Sequence, residues 1–348
     1  MAEEKAIRLD TSQYSYKKVI FIENLFPNGG TRQFLKLLNL DTFRGNTILF
    51  LVRRDFVSLR NILGFFKDYL YALLHKPKNV RLKIILKPVH LRDDTVYIST
   101  SRRTLEFIKN LNSKNHYHYF QHIEFWEFLN SKIFFEYCIN KGYPGSSYFS
   151  QLFFKDSDLL DKKYKNNILQ INNFLTVSNF LSEILSKLNK KNIQLIDVKP
   201  HISYQNKLSN EYDLLLFYRA CNFKGDGMTI EIIKKYKDKY KIVIVAFNNE
   251  IYKKIKVNNN ITIYVHPADT ELGKIYSKTT LVINPSLSEG FGSVPQEALC
   301  HNCCVVTSNT GWVINTDSNE RVAIIRKHTI DSYSDGIDKI MELKNNNH

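Results

Sequence analysis

A chain of 348 residues exceeds what a single core usually organises, so two domains of roughly 150 to 200 residues are expected. Hydrophobic residues at 43% and charged residues at 24% exclude a disordered chain; without an 18-residue uncharged apolar run or a signal-peptide layout in MAEEKAIRLD, neither membrane spanning nor secretion is indicated, and the cytoplasm is the expected compartment. The formal charge of +15 predicts attraction to polyanions, but does not choose among nucleic acid, anionic membranes and phosphorylated small molecules.

In chain order, KKVIFIENL (17–25) reads as a strand that ends in the Gly-rich turn of PNGGTRQFLKLLNL and passes into a helix. NTILFLV (46–52), TVYIST (95–100) and HYHYFQHI (116–123) read as later strands with helical patterns between them. FLTVSNFLSEILSKL (174–188) reads as a buried strand running into a helix, and 193–212 has the polar, Pro-containing character of a linker. A second series follows at 213–220, 241–247, 261–266, 281–286, 303–309 and 321–326. Alternating strands and helices predict an α/β protein of two Rossmann-like, doubly wound domains, 1–200 and 210–348, with the boundary near 195–210.

The segment 53–78 spaces Phe56, Leu59, Leu63, Phe66, Leu70 and Leu73 as one helical face amid basic residues. An interfacial helix on an anionic membrane and an ordinary amphipathic helix packed on the sheet both fit that pattern. The cysteines at 138, 221, 300, 303 and 304 are a poor disulfide framework. CHNCC (300–304) allows a zinc reading, but no second ligand pair of suitable spacing accompanies it; a helix end followed by a buried strand also fits.

The richest stretch is INPSLSEGFGSVPQEALCHNCCVVTSN (283–309), where a strand ends in Pro-Ser, crosses a Gly-rich loop and enters a helix with Pro295 in its first turn. Gly290 and Gly292 permit close backbone approach, and the amides of Ser293, Val294 and Gln296 stand at the positive end of the helix dipole. Such a loop suits a diphosphate, with Glu289 and Glu297 flanking it.

This stretch resembles the retaining GT-B glycosyltransferases of family 4, whose pattern P-S-x-x-E-G-F-G-x-x-x-x-E-A is matched by Pro285, Ser286, Glu289, Gly290, Phe291, Gly292, Glu297 and Ala298. The resemblance, closest to bacterial polysaccharide and rhamnosyl transferases, implies two domains facing a cleft. It also implies that Glu289 lies against the donor sugar and Glu297 accepts from the ribose hydroxyls. FYRACNFKG (217–225) resembles the family's G-R-x-x-x-x-K-G turn, with Arg219 and Lys224 at the motif's spacing and Tyr218 in place of its glycine. There the two cations hold the diphosphate and stabilise the charge that grows on it as the sugar leaves.

In the N-terminal half, Gly29, Gly30 and Arg32 resemble the G-G-x-x-R/E signature, with the arginine one position early. Gln121, His122, Glu124 and Trp126 resemble the acceptor-side strand end, where His122 is the candidate for touching sugar or acceptor, or else a structural imidazole. The resemblance thus implies a nucleotide diphosphate sugar as co-substrate, a glycan or lipid-linked acceptor, no other cofactor and no obligatory metal. A non-catalytic GT-B-shaped accessory subunit is the alternative. No nucleic-acid reading module is recognisable, and a nucleic-acid partner is not expected.

Overall fold

The computed structural model describes the strands at 18–22 and 47–52, single residues between 66 and 78, residues 80–120 except 86–89, 91, 93, 94 and 106, residues 170–196 except 188, 189 and 191, residue 202, and residues 210–346 except 222 and 223. Among these, the chain forms two compact units, each built on one parallel sheet.

The N-terminal sheet contains β1 (Lys18–Ile22), β2 (Thr47–Val52), β3 (Val80–Ile85), β4 (Val96–Ser99), β5 (His116–Phe120), β6 (Asn173–Thr176) and β7 (Asn192–Leu195). Its order is β3-β2-β1-β4-β5-β6-β7, and every neighbouring pair is parallel. Strands β4 and β6 are buried along their whole length, as parallel strands covered on both faces must be. A one-turn helix α1 (Arg102–Leu105) follows β4, and α2 (Asn179–Lys187) buries Phe180, Leu181, Ile184 and Leu185, an i, i+1, i+4, i+5 stripe.

Two strands depart from the sequence reading. The run that forms β3 carries Arg81 and Lys83, both exposed, so its polarity hid a strand on the outside edge of the sheet. Strand β7 takes up the first residues of the stretch read as linker; it too is an edge strand, with no fully buried residue to mark it.

Within this sheet a buried chain of hydrogen bonds links two histidines. His116 Nδ1 lies 3.0 Å from the Leu111 carbonyl and therefore carries the proton that it donates there. Its Nε2 then accepts from the Ser99 hydroxyl at 2.9 Å, and the Ser99 oxygen accepts from His118 Nδ1–H at 2.8 Å. Burial holds both rings neutral: it lowers His116 to about 4, and burial together with the neighbouring His116 lowers His118 to about 3.

The C-terminal sheet contains β8 (Tyr212–Tyr218), β9 (Ile242–Ala246), β10 (Ile261–Val265), β11 (Thr279–Asn284), β12 (Cys304–Ser308) and β13 (Val322–Ile325), in the order β10-β9-β8-β11-β12-β13. Between them run α3 (Asp226–Tyr236), α4 (Ile251–Lys254), α5 (Asp269–Ser277) and α6 (Ser293–Cys300), and α7 (Ile330–Asn345) closes the unit. Alternation along β8 decides the layers. Leu214 and Leu216 join Ile232, Ile233 and Tyr236 of α3 and Tyr333, Ile337 and Ile340 of α7 in one core. Leu215 joins Ile275 and Tyr276 of α5 and Ala298 of α6 in the other. Each such side chain contributes about 1.5–3 kcal/mol through burial.

Candidate active site

In an open parallel sheet a crevice opens where neighbouring strands send their connections to opposite faces. In the C-terminal sheet that point lies between β8 and β11, which pair from Thr279↔Tyr212 to Ile283↔Leu216. The loops leaving their C-terminal ends are the two richest motifs of the sequence, 217–225 and 285–292.

The two loops meet directly. Lys224 Nζ donates to Glu289 Oε1 at 2.8 Å, with side chains 26% and 16% exposed, so both charges stand where a ligand can reach them. Gly225, the residue before α3, has φ 71°, and a Cβ there would sit 2.0 Å from the Pro285 carbonyl oxygen. Only glycine allows this left-handed backbone to press against the partner loop. Gly292, the residue before α6, is also left-handed at φ 88°. Neither helix is capped by the side chain of its preceding residue, so two helix N-termini and one ammonium gather at the crevice.

A second layer holds the 285–292 loop from behind. The Ser308 hydroxyl donates to the Ser286 carbonyl, and Ser286 Oγ donates to the Ser288 carbonyl at 3.1 Å. Trp312 N donates to the Phe291 carbonyl at 2.9 Å, and its indole Nε1 donates to the Gly292 carbonyl at 3.2 Å. Gly311, at φ 64°, lets that strap pass, because a Cβ would lie 2.3 Å from the Phe291 oxygen. Ser286, Ser288, Gly290 and Gly292 are buried, while Phe291, Ser293 and Val294 are half-buried.

Glu297 is 6% exposed on the inner side of α6, and the Tyr276 hydroxyl donates to its Oε2 at 3.1 Å. Burial first, and then the Glu297 carboxylate, push the Tyr276 phenol well above its ordinary value, so it remains a donor. His301 stacks on the Tyr276 ring with centroids 5.2 Å apart, and its Nδ1 donates to the Glu297 carbonyl at 2.8 Å.

Arg219 does not join Lys224 in this arrangement. Its exposed guanidinium lies over the Phe247 ring, 5.6 Å from the centroid, and Phe247 meets His266 edge-on at 5.9 Å. These three residues leave the C-terminal ends of β8, β9 and β10, and His266 adopts φ 50°.

Gly29, Gly30, Arg32, Gln121, His122, Glu124 and Trp126, and most of 53–78, lie outside the described residues. Cys300 ends α6 exposed, while Cys303 and Cys304 are buried, and Cys303 Sγ contacts the Tyr276 carbonyl at 3.1 Å. Among the described residues no three His, Cys, Asp or Glu side chains stand together as a group able to hold a metal ion. Gly225, Tyr276, Gly311 and Trp312 escaped the sequence reading. Only the glycine at the end of the K-G pair carried a signal, since the other three act through contacts across the sheet.

This architecture is the GT-B fold, and solved GT-B structures align along nearly the whole chain. HepE from Anabaena, in complex with UDP, matches with a TM-score of 0.64 at 12% identity over 94% of this chain and 90% of its own. Sucrose-phosphate synthase from Thermosynechococcus elongatus matches with a TM-score of 0.63 at 11% identity, over 94% and 90%. A mutant TarM from S. aureus, in complex with fondaparinux, alpha-GlcNAc-glycerol and UDP, gives 0.62 at 12% identity, over 94% and 92%. Within the sequence, residues 199–348 match the model of Glycosyl transferases group 1. No curated protein matches the chain.

Proposed function

We propose that the chain is a retaining glycosyltransferase that moves a sugar from a nucleotide diphosphate sugar to a hydroxyl of a glycan or lipid-linked saccharide. The observation that carries this reading is the Lys224–Glu289 pair at 2.8 Å, which joins two motifs 65 residues apart at the switch point of the sheet. A cation, two helix N-termini and a carboxylate in one crevice are the chemistry that a departing diphosphate and a neighbouring sugar require. The UDP and UDP-glucose bound to HepE support a nucleotide-sugar donor.

In this reading Lys224 turns from Glu289 to the diphosphate when the donor binds, and Arg219 swings from Phe247 to the same group. Both cations and the loop amides from Gly290 to Val294 stabilise the negative charge that builds as the glycosidic bond breaks. Glu289, released from Lys224, faces the sugar. Glu297, aimed by Tyr276, accepts from the ribose hydroxyls. The phosphate oxygen left behind helps to take the acceptor's proton on the same face of the sugar, which retains the anomeric configuration and needs no strongly basic side chain. In this scheme the Gly29 and Gly30 amides face the donor diphosphate and the acceptor, Arg32, Gln121 and Glu124 line the acceptor side, His122 touches the sugar or the acceptor hydroxyl, and no metal is required.

The test begins with thermal shifts against UDP, GDP, dTDP and their common sugars, where a ligand at about a hundred times its Kd stabilises by about 2.7 kcal/mol. A shift confined to one base identifies the donor class. The anomeric coupling constant of the product sugar, read by NMR, then decides retention against inversion. Absence of any shift at millimolar ligand sinks the transferase reading and leaves a GT-B-shaped accessory subunit.

A further inference from the structure

Two carbonyls of the 285–292 loop region accept from one residue. Trp312 N donates to the Phe291 carbonyl at 2.9 Å, and Trp312 Nε1 donates to the Gly292 carbonyl at 3.2 Å. In a trans peptide the N–H points opposite to the C=O of the same unit, and no peptide among the described residues is cis. The two bonds therefore turn the amides of Gly292 and Ser293 away from Trp312. Gly292 is left-handed, at φ 88° and ψ 66°, and Ser293 opens the right-handed helix α6. A left-handed residue beside a right-handed one makes successive amides converge on one concavity, a nest for an anion.

The first turn of α6 carries no acidic side chain, whereas Gly225 opens α3 with Asp226 in its first turn. Of the two glycine-opened helices, α6 is thus the one whose local charge favours a phosphate. Trp312 is itself held, because its ring packs on the small apolar cluster of Val313, Val322 and Ile324, apart from the two cores that sandwich the sheet. Glu289 borders the nest: a Cβ on Gly292 would lie 3.9 Å from the Glu289 Cβ and 3.7 Å from the Trp312 ring. The phosphate seated there is the one beside the carboxylate that faces the sugar.

We propose that Trp312 is a positioning residue of the phosphate site: by holding the Phe291 and Gly292 carbonyls it aims the Gly292 and Ser293 amides at the sugar-bearing phosphate, whose charge grows as the glycosidic bond breaks. This inference rests on the nucleotide-sugar reading above and adds to it the residue that sets the loop. Trp312 touches no substrate atom; its indole acts through the peptide units that it fixes. An anion on the N–H side of those peptides polarises their carbonyls, so phosphate binding and the indole hydrogen bond strengthen each other.

Titration calorimetry of the full chain with UDP and UMP, GDP and GMP, and dTDP and dTMP tests it in the base series that binds. The wild-type chain is expected to hold the diphosphate at least about tenfold more tightly than the monophosphate. Trp312→Phe keeps a ring on the apolar cluster and the backbone bond to Phe291 but removes the indole donor. It should shrink that ratio about fivefold, with monophosphate affinity and melting temperature unchanged. A spectrum of the chain carrying isotope-labelled tryptophan gives a second readout with Trp312 in place. Of the two tryptophans, told apart with Trp126→Phe, the Trp312 indole proton should move downfield with the diphosphate and hold still with the monophosphate. Should Trp312→Phe lower the melting temperature, the indole proton alone decides. Equal weakening of monophosphate and diphosphate, an unchanged ratio, or an indole proton indifferent to the diphosphate would overturn the inference while the transferase reading stands. Absence of any nucleotide binding by the wild-type chain would overturn both.

Discussion

The two sheets share the strand order 3-2-1-4-5-6, yet their switch points are furnished differently. In the C-terminal sheet the loops that leave β8 and β11 end in glycines at φ 71° and 88° that open two helices, with Lys224 and Glu289 paired between the loops. In the N-terminal sheet, β4 ends in a turn that its own side chains complete. Thr104 Oγ1 accepts from the amides of Thr100 and Ser101, both at 3.0 Å, and donates to the Ser101 carbonyl at 2.7 Å. The helix that follows is only four residues long. At the end of β4 the turn satisfies its own amides, whereas the glycine-opened helices after β8 and β11 leave theirs to a ligand; the loop after β1 lies outside the described residues.

The largest expected effect breaks that difference at its centre. Lys224→Ala should lower turnover about 10²–10³-fold, the usual loss when one preorganised charge-stabilising donor is removed, while Lys254→Ala on the exposed face of α4 should leave kcat/KM unchanged. Equal losses from both variants would mean that the charge acts generally and the crevice has no special role.

Acid sharpens the comparison from the N-terminal side. An unfolded histidine takes up its proton near pH 6.5, whereas buried His116 resists until about 4 and His118 until about 3. Their neutral, hydrogen-bonded forms therefore contribute stability that is complete above about pH 6.5 and is lost as the pH falls towards 4, about 3 kcal/mol from His116 alone at 1.36 kcal/mol per pKa unit. Among the described residues of the C-terminal unit, His328 is the one such group, lowered to about 4 by burial. Hydrogen exchange followed from pH 7 to pH 4.5 should show protection falling sooner in 95–120 than in 242–246; parallel loss in both would contradict the assignment.

Gly225→Ala should destabilise the C-terminal unit by about 2 kcal/mol, read as a lower melting temperature. A left-handed backbone and a carbonyl where the new methyl group must go both oppose it. Nucleotide affinity should fall with it, because Lys224 is the adjoining residue. The smallest change is Tyr276→Phe, which removes the hydroxyl that orients Glu297 and keeps the ring on which His301 stacks. Nucleotide binding should weaken about fivefold, on the order of 1 kcal/mol, with kcat for saturating donor nearly unchanged. A matching loss in kcat would place Glu297 at the reacting bond.

Much of the fold is legible locally. Continuous apolar strands such as IVIVA and CVVTS are buried along their whole length, as their composition demands, and each is flanked by amphipathic helices. Strands β3 and β7 are the exceptions, because an edge strand needs no second apolar face and its composition then imitates a polar connection. The site was legible to the extent that its residues sit in motifs. Lys224 and Glu289 meet where the two motif loops converge, whereas Glu297 lies buried against Tyr276 and Arg219, equally marked by the motif, lies over Phe247.

By itself the sequence determined the alternation of strands and helices, the two-part organisation and the loops that bear charge, because these depend on side-chain period and on residues only a few positions apart. Only the tertiary structure decided that Lys224 meets Glu289, that Gly225 presses on the Pro285 carbonyl, that Trp312 straps the 285–292 loop and that Tyr276 reaches Glu297. Those partners stand between 20 and 65 residues apart. Crossovers in a parallel sheet place distant segments side by side, and such a contact leaves no local pattern in either segment.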